Sequence, residues 1–420
     1  MTAAAAELQA VLARERRRVV AQLARSLGLA HLALAEDAVQ SAALRALELW
    51  PAQGVPANPA GWLYRVARHE AIDALRIAGR HEPWPDEDEA AAPRLPVLPA
   101  PPGRFAGELD DDELALLFSA CHPALPVASQ VALALRALAG LDLADIASAL
   151  LCTEAALAQR LARARLLVAR DTLRLPAGHE LAPRREAVLT ALSLAFHSGA
   201  RARCQGAAWR DGATALCWEA IRLARALAAH PVATHPDADA LAAQLLLHGA
   251  RLSGQLDEAG EIVLLPGQPR DRWDAGMVRM GLAHLQAAMR APALSRWHLM
   301  AGIAAEHATA PSHAGTDWPA IVRYYDALMT LDPSAAPRLG HAIARAEAGE
   351  PLRALGLLQA LQPGLPAPLR AHGLAAMARA HERLGDVATA HALLQQAADA
   401  APQAADARAL RRRAAELLRS

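Results

Sequence analysis

Residues Pro59–Arg76 read PAGWLYRVARHEAIDALR and decide how the N-terminal part of this chain folds. Apolar residues recur in this stretch with helical spacing, and they form one stripe that would face a core: Leu63, Ala67, Ala71, Ala74 and Ala78. At about 100° per residue, the opposite side carries Arg65, His69, Ile72 and Arg76. Trp62 and Arg68 border that side. The stretch therefore predicts an amphipathic helix with a basic face edged by an aromatic ring.

A basic helix face edged by a ring suits a nucleic-acid strand, because guanidinium groups bind phosphates and an aromatic ring stacks on an unpaired base. A basic face is also typical of a helix that only contacts solvent. The residues just before it, Ala35–Trp50, read AEDAVQSAALRALELW and show a second helical pattern. The order of these two patterns favours the nucleic-acid interpretation over the basic face taken alone.

The two segments resemble region 2 of the bacterial extracytoplasmic-function sigma factors, which are the promoter-reading subunits of RNA polymerase. That family has an acidic-Asp-x-x-Gln helix ending in Trp, matched here by Glu36, Asp37, Gln40 and Trp50. It continues with Asn-Pro-x-x-Trp-Leu-x-x-x-Ala-x-x-x-x-Ile-Asp-x-Leu-Arg, matched here by Asn58, Pro59, Trp62, Leu63, Ala67, Ile72, Asp73, Leu75 and Arg76. The match is specific, since it fixes rare residues at fixed offsets.

The resemblance implies two binding surfaces on this unit. The first helix would dock on the clamp helices of the polymerase β′ subunit through Asp37, Gln40, Ser41, Leu44 and Glu48. The second would hold the −10 element of promoter DNA through Asn58, Trp62, Arg65, Arg68, His69 and Arg76. His69 stands where the family commonly has Asn, and Ile77–Arg80 is not the usual basic cluster. These departures predict weaker DNA contacts than usual.

The composition along the chain predicts four parts and an all-α fold. Residues 1–80 form a small helical domain, and residues 81–108 form an acidic, Pro-rich linker, because the prolines forbid a long helix. Residues 109–176 form a second small helical domain. Residues 184–420 form a helical C-terminal extension, since Ala and Leu dominate it.

Residues 109–176 contain a helix-turn-helix pattern. Leu143–Leu150 is the short first helix, Leu151–Thr153 is the turn, and Thr153 is the N-cap of a second helix that starts at Glu154. An inward stripe of that helix consists of Leu157, Leu161, Ala164 and Val168. Its outer face carries Ala156, Gln159, Arg160, Arg163 and Arg170, residue types that suit a major groove. An ordinary helical hairpin with exposed arginines has the same pattern.

This helix-turn-helix follows a region-2-like unit and a linker. In that position it resembles region 4 of the same sigma family. The resemblance implies contacts with the −35 element through Thr153, Ala156, Gln159, Arg160, Arg163 and Arg170. Leu151 and Cys152 replace the usual turn glycine. Leu166 and Leu167 stand where the family often has Arg or Lys.

The last third of the chain repeats with the offsets of a tetratricopeptide (TPR) repeat. One repeat consists of Ala378, Gly385, Ala390, Leu394, Ala397 and Pro402. The one before it consists of Ala342, Gly349, Ala354, Leu358, Leu361 and Pro366. Tyr325, Leu328 and Pro333 fit the second helix of another repeat. Generic helical hairpins in an Ala-rich chain satisfy the same offsets. We expect a TPR-like array whose concave face takes a protein or peptide partner.

The charge balance and the cysteines exclude several classes of protein. The 420 residues include 43 basic and 43 acidic side chains, so the net charge argues against an autonomous high-affinity DNA-binding protein but not against a subunit of a larger machine. The four cysteines form no C-x-x-C pair and lie near no run of histidines, so no metal site is expected. No cofactor is expected either. No long apolar run appears, which predicts a cytoplasmic protein without membrane contact.

The sequence as a whole resembles the sigma subgroup with a long C-terminal TPR-like extension, over nearly its full length. The predicted function is a sigma factor that binds core RNA polymerase, catalyses no reaction and is regulated by its extension. One alternative is a TPR-coupled helix-turn-helix regulator that binds DNA without polymerase. Another is a helical enzyme built on the C-terminal half, where the carboxylates in 257–274 surround an apparent solvated loop.

Overall fold

Helices form the secondary structure of the described part of the chain, apart from one isolated β-bridge between Leu256 and Ile262. The structure is a computed structural model. It describes scattered positions between residues 12 and 27, and residues 31–78, 114–139, 143–150, 152–168, 178–205, 207–231 and 233–419. The all-α prediction is confirmed. The chain divides into two compact units, Met1–Leu194 and Ala195–Ser420. The predicted linker, residues 81–108, lies outside the described residues.

Two helices that pack against each other, α1 (Leu32–Gln53) and α2 (Pro59–Ala78), belong to the first unit. Gly54 ends α1 with a φ of 82°, a value that glycine adopts without strain. Its N–H donates to the Trp50 carbonyl at 2.8 Å and so satisfies one of the last carbonyls of the helix. The chain then turns back within a few residues, which keeps α2 beside α1.

The predicted helix-turn-helix is present in the same unit. Its helices are α3 (Val127–Ala139), α4 (Leu143–Ala149) and α5 (Glu154–Val168). Thr153 Oγ1 accepts the Ala156 N–H at 3.3 Å, which confirms Thr153 as the N-cap of α5. The Cys152 N–H donates to the Ala147 carbonyl at 3.0 Å, so the end of α4 is capped without the usual turn glycine.

The helical segment 114–120 is buried on all sides, as expected for a helix enclosed by other elements. The next helix, α6 (Gly178–Ala202), packs near it: Arg184 is buried, and its Nη1 donates to the Phe118 carbonyl at 3.1 Å. α6 is continuous across residue 184, and the compact units divide between Leu194 and Ala195. The first part of this helix therefore belongs to the first unit.

The second unit is a succession of helices in which neighbours along the chain pack against each other. They are α7 (Ala207–Ala229), α8 (Pro236–Gly249), α9 (Ala275–Ala288), α10 (Arg296–Thr309), α11 (Trp318–Leu331), α12 (Ala335–Glu347), α13 (Pro351–Leu361), α14 (Ala367–Arg383), α15 (Val387–Ala400) and α16 (Ala404–Leu417). None of the described helices in either unit has both the length and the apolar composition that crossing a bilayer requires.

Glycine turns join the last helices into hairpins. Gly349, between α12 and α13, has a φ of 93°, and Gly385, between α14 and α15, has a φ of 78°. The contact faces of these hairpins are small or apolar and buried: Ala342, Ala354, Leu358, Ala378, Ala390 and Leu394. The turn and contact positions of the predicted repeats are thus turns and buried contacts in the structure.

An ion-pair network joins alternate helices of this array. Glu347 of α12 accepts Arg379 Nε at 2.6 Å and Arg383 Nη1 at 3.1 Å, both from α14. Glu382 of α14 accepts Arg413 Nη2 of α16 at 2.6 Å. The hydrogen bonds that Arg379 donates, chiefly to Glu347, raise the pKa of its guanidinium above its ordinary value. α12, α14 and α16 therefore form one connected wall.

A loop over residues 255–268 contacts the end of that wall. Glu261 pairs with Arg408 Nε at 3.1 Å and with Arg412 Nη1 at 3.2 Å. Arg412 Nη2 also donates to the Ile262 carbonyl at 2.7 Å. The loop and the wall border a groove of about 1070 Å³ in the second unit.

Candidate nucleic-acid interface

The basic face of α2 is exposed above a buried back. Leu63, Ala67 and Ala71 are fully buried, as the predicted core stripe requires, whereas Ala74 of the same stripe is only half-buried. Arg65 and His69 are exposed. Three further side chains, Trp62, Arg68 and Ile72, are half-buried. Arg76 lies near the end of α2, but its side chain is outside the described residues.

Trp62 is oriented by a second tryptophan. Its ring meets the ring of Trp50 edge to face, with 5.3 Å between centroids and 68° between planes. Trp50 is 4% exposed, so it is held by the core between α1 and α2. The half-buried indole of Trp62 is therefore presented at the border of the basic face in a defined orientation.

The cations on this face differ in how far their charge is neutralised. His69 Nδ1 lies 3.2 Å from Asp73 Oδ2, with both side chains mostly in solvent, where such a pair contributes little. Within the described ranges, no carboxylate pairs with Arg65 or Arg68. An ion pair between Arg45 and Glu70, 3.2 Å apart, links α1 to α2 away from those guanidiniums. Arg65 and Arg68 are thus suited to an anionic strand.

Asn58, which the resemblance assigns to DNA, has a structural role as well. Its Oδ1 accepts the Gly61 N–H at 2.8 Å, so it caps the first turn of α2. A Cβ on Gly61 would lie 2.8 Å from Asn58 Nδ2, which explains the glycine at that position. An Asn cap of this kind contributes about 1 kcal/mol. The cap fixes the start of the helix that carries the basic face.

The other helix of the pair, α1, has an exposed side of its own. All five residues that the resemblance assigns to polymerase are exposed on it: Asp37, Gln40, Ser41, Leu44 and Glu48. They alternate with a buried stripe that includes Ala35, Val39 and Ala42. Leu44 is 56% exposed.

On α5, Leu157, Leu161 and Ala164 are buried, which confirms the inward stripe as far as its side chains are described. The outer face exposes Thr153, Ala156, Gln159 and Arg163, while Arg160 is half-buried. Arg163 Nε also donates to the Gln159 carbonyl at 3.4 Å. Arg170 lies outside the described residues. The predicted DNA-reading residues that are described share one solvent-facing side of the helix.

The structure also contains a charged cluster that sequence reasoning missed. Glu36 of α1 is buried, and its Oε2 accepts Arg136 Nη2 of α3 at 2.6 Å. Arg165 of α5 lies close enough for its charge to act on the Glu36 carboxylate. The available signal was the position of Glu36 next to Ala35 on the buried stripe of α1, where an acidic side chain requires a partner.

Two of the C-terminal carboxylates, Asp274 and Glu261, and one cysteine, Cys217, have structural explanations. Asp274 caps α9 through the Met277 N–H at 2.9 Å. Glu261 is paired with two arginines of α16. Burial raises the pKa of the Cys217 thiol to about 12, as expected for an inert thiol. Among the residues that the structure describes, no group of three or more His, Cys, Asp or Glu side chains could hold a metal ion.

Comparisons with known proteins bear on both units. Residues 12–81 match Sigma-70 region 2, and residues 115–168 match Sigma-70, region 4. Residues 184–289 match a family of unknown function (DUF6596). The uncharacterized protein R00370 of Rhizobium meliloti (strain 1021) is 38% identical over 352 residues, which cover 82% of this chain and 81% of that protein. No solved structure matches the chain.

The matches to regions 2 and 4 coincide with the pair α1 and α2 and with the helix-turn-helix that ends in α5. The third match begins within α6 and extends into the second unit. The chain therefore belongs to the sigma-70 family, as an extracytoplasmic-function-like sigma factor with a C-terminal extension.

Proposed function

We propose that this sigma factor docks on core RNA polymerase through α1, holds the −10 element with α2 and reads the −35 element with α5. The observation that carries the proposal is on α2. There, Arg65 and Arg68 have no carboxylate partner among the described residues, and they lie beside the indole of Trp62. The ring of Trp50 holds that indole in place. Guanidinium groups and a half-buried ring are the components that hold an unstacked single strand.

In the proposed complex, the polymerase β′ clamp covers the exposed side of α1. The charges of Asp37 and Glu48 orient α1 on the clamp, and the exposed side chain of Leu44 contributes apolar contact area. The net charge of zero agrees with a subunit that meets DNA only when mounted on a larger enzyme. We place the protein in the cytoplasm, where that enzyme acts, and assign it to the extracytoplasmic-function type.

Upstream recognition is expected to depend on Gln159 and Arg160. Replacing either with alanine should change the relative binding free energies of −35 variants by about 1–3 kcal/mol, and so their ranking, because the loss of a base contact affects one position only. Arg170→Ala should instead lower affinity about equally on all variants and reduce the salt dependence, as the loss of a phosphate contact does. The measurement is binding of the polymerase complex to a series of single-base −35 variants.

Ala162 is also exposed on α5 and is not assigned to DNA, so Ala162→Ser is the matched control. An unchanged ranking of the −35 variants in Gln159→Ala and in Arg160→Ala would show that α5 is not the reading helix.

We further propose that the second unit is a TPR-like array that regulates the first unit in cis. The first unit, Met1–Leu194, is called the sigma unit below. Its support is the row of helical hairpins, with glycine turns at Gly349 and Gly385 and small buried contact residues. The groove of about 1070 Å³ is lined by apolar and aromatic side chains, including Trp318, Tyr325 and Leu394, and by charged side chains of α12, α14 and α16. A groove of this kind suits a peptide or helix from another protein.

Removal of the second unit is expected to change transcription. A chain that ends at Gln205 keeps α6 whole, and with it the hydrogen bond from Arg184 to Phe118. If the extension regulates in cis, this chain should differ from the full protein in core affinity or in transcript yield. The measurement is titration with core polymerase and run-off transcription, with circular dichroism to verify folding. A folded truncated chain with the same affinity and yield would contradict regulation.

A further inference from the structure

The ion pair between Glu36 and Arg136 joins the two DNA-reading parts of the sigma unit. Glu36 lies on α1, which packs against α2, and Arg136 lies in the last turn of α3, next to the reading helix α5. Arg136 Nη2 lies 2.6 Å from Glu36 Oε2. Arg165 adds a second guanidinium from α5 itself, and its buried Nε has no hydrogen-bond partner among the described residues. One carboxylate thus faces cations from two helices of the other part.

The contact restricts how far apart the two reading surfaces can be. Glu36 and Trp50 are separated by about 21 Å along α1, and Trp62 contacts Trp50. Gln159 lies about 9 Å along α5 from Arg165. With side-chain lengths added, Trp62 and Gln159 are no more than about 60 Å apart while the ion pair is formed.

The promoter requires a larger separation. By their positions, the −35 and −10 elements are about 25 base pairs apart, which is roughly 85 Å of B-form DNA at about 3.4 Å per base pair. DNA of this length is stiff, so bending it enough to meet a 60 Å limit would cost several kcal/mol. A chain with the ion pair intact therefore cannot contact both elements of straight DNA at once.

We propose that the Glu36–Arg136 ion pair, with Arg165 beside it, is an intramolecular latch that holds the unbound protein closed and opens when polymerase binds. This inference rests on the proposed function, since it uses the assigned roles of α1, α2 and α5. Glu36 and Gln40 are four residues apart on α1 and are therefore neighbours on its surface. A polymerase surface that covers Asp37 and Gln40 reaches the latch directly.

The energetics of the pair suit a contact that opens. Burial raises the pKa of the Glu36 carboxyl even though the Arg136 and Arg165 charges act to lower it. Burial likewise lowers the pKa of the Arg165 guanidinium against the attraction of Glu36. Desolvation thus offsets much of the attraction within the pair, as is common for buried ion pairs. Opening returns these groups to water, and the regained solvation offsets part of the attraction that is lost.

The test measures the distance between the two parts in the free full-length protein. Fluorescent labels are placed by noncanonical amino acids at Gln53 and Ala162, which are exposed on α1 and α5. Single-molecule energy transfer is compared among the wild type, Arg136→Glu and the double variant Glu36→Arg with Arg136→Glu. We expect a short distance in the wild type, a longer one in Arg136→Glu and a short one again in the double variant.

The same Arg136→Glu protein is titrated with core polymerase, with folding verified by circular dichroism. Its apparent affinity should rise about three- to tenfold, because the fraction of binding-competent protein increases. A label-to-label distance in Arg136→Glu equal to that of the wild type would overturn the latch. So would a long distance in the double variant, or a longer distance in Arg136→Glu without a gain in affinity for core polymerase. If neither the wild type nor the variant binds polymerase, the proposed function fails, and so does the role of the latch in polymerase binding. The measured distances still show whether the Glu36–Arg136 ion pair holds the first unit closed.

Discussion

Replacing Asp37 with arginine and Gln40 with alanine is expected to abolish co-purification with core RNA polymerase. Both side chains are exposed on α1, so the change leaves the core of the unit intact. A charge reversal within a protein interface costs about 2–5 kcal/mol, which corresponds to a loss of about thirtyfold or more in affinity. The measurement is affinity purification of polymerase on the tagged sigma factor, followed by titration of the purified partners.

Glu258→Arg is a suitable control for this double variant. Glu258 is an exposed carboxylate in the second unit, so its reversal changes the net charge equally without touching α1. Co-purification should persist with Glu258→Arg, and the helicity of both variants should equal that of the wild type. Undiminished co-purification of the Asp37 and Gln40 variant would remove α1 from the polymerase interface.

Alanine at both Arg65 and Arg68 is expected to block promoter opening while core binding is retained. A base at the −10 element must leave the stack at a cost of a few kcal/mol, which phosphate and stacking contacts must offset. Arg65 is exposed and Arg68 is half-buried on the basic face of α2, and neither belongs to α1, the helix proposed to bind polymerase. Permanganate footprinting of the promoter measures the opening directly.

Two controls separate the loss of specific contacts from a loss of charge. Arg290 and Arg338 are exposed in the second unit, so their double replacement with alanine removes the same charge and should leave the footprint unchanged. Arg65→Lys with Arg68→Lys retains the charge but not the planar fork, and should restore opening only in part. A footprint equal to that of the wild type in the alanine double variant would contradict the role of α2.

The helices of the sigma unit could be predicted because their local signals agree with one another. The apolar stripe of α2, its start after Asn58 and the N-cap at Thr153 each predict the element that the structure contains. The same is true of the glycine turns at Gly349 and Gly385. These features depend on residues close together in the chain, so periodicity and capping rules are sufficient to find them.

The charged contacts could not be predicted, because they join residues far apart in the chain. Glu36 meets Arg136 across 100 positions, and Glu261 meets Arg412 across 151. In a chain with 43 basic and 43 acidic residues, no local pattern selects these partners among the alternatives. The buried Arg184 guanidinium likewise has its partner, the Phe118 carbonyl, 66 positions away.

Run-off transcription with purified core RNA polymerase tests directly whether this protein acts as a sigma factor. Genomic fragments are transcribed with core enzyme alone and with core enzyme plus the full-length protein, and binding of the protein alone to the same fragments is measured in parallel. We expect discrete transcripts that appear only when the protein and core enzyme are combined. Binding of the protein alone to specific sites, with no new transcript on addition of core enzyme, would contradict a sigma factor.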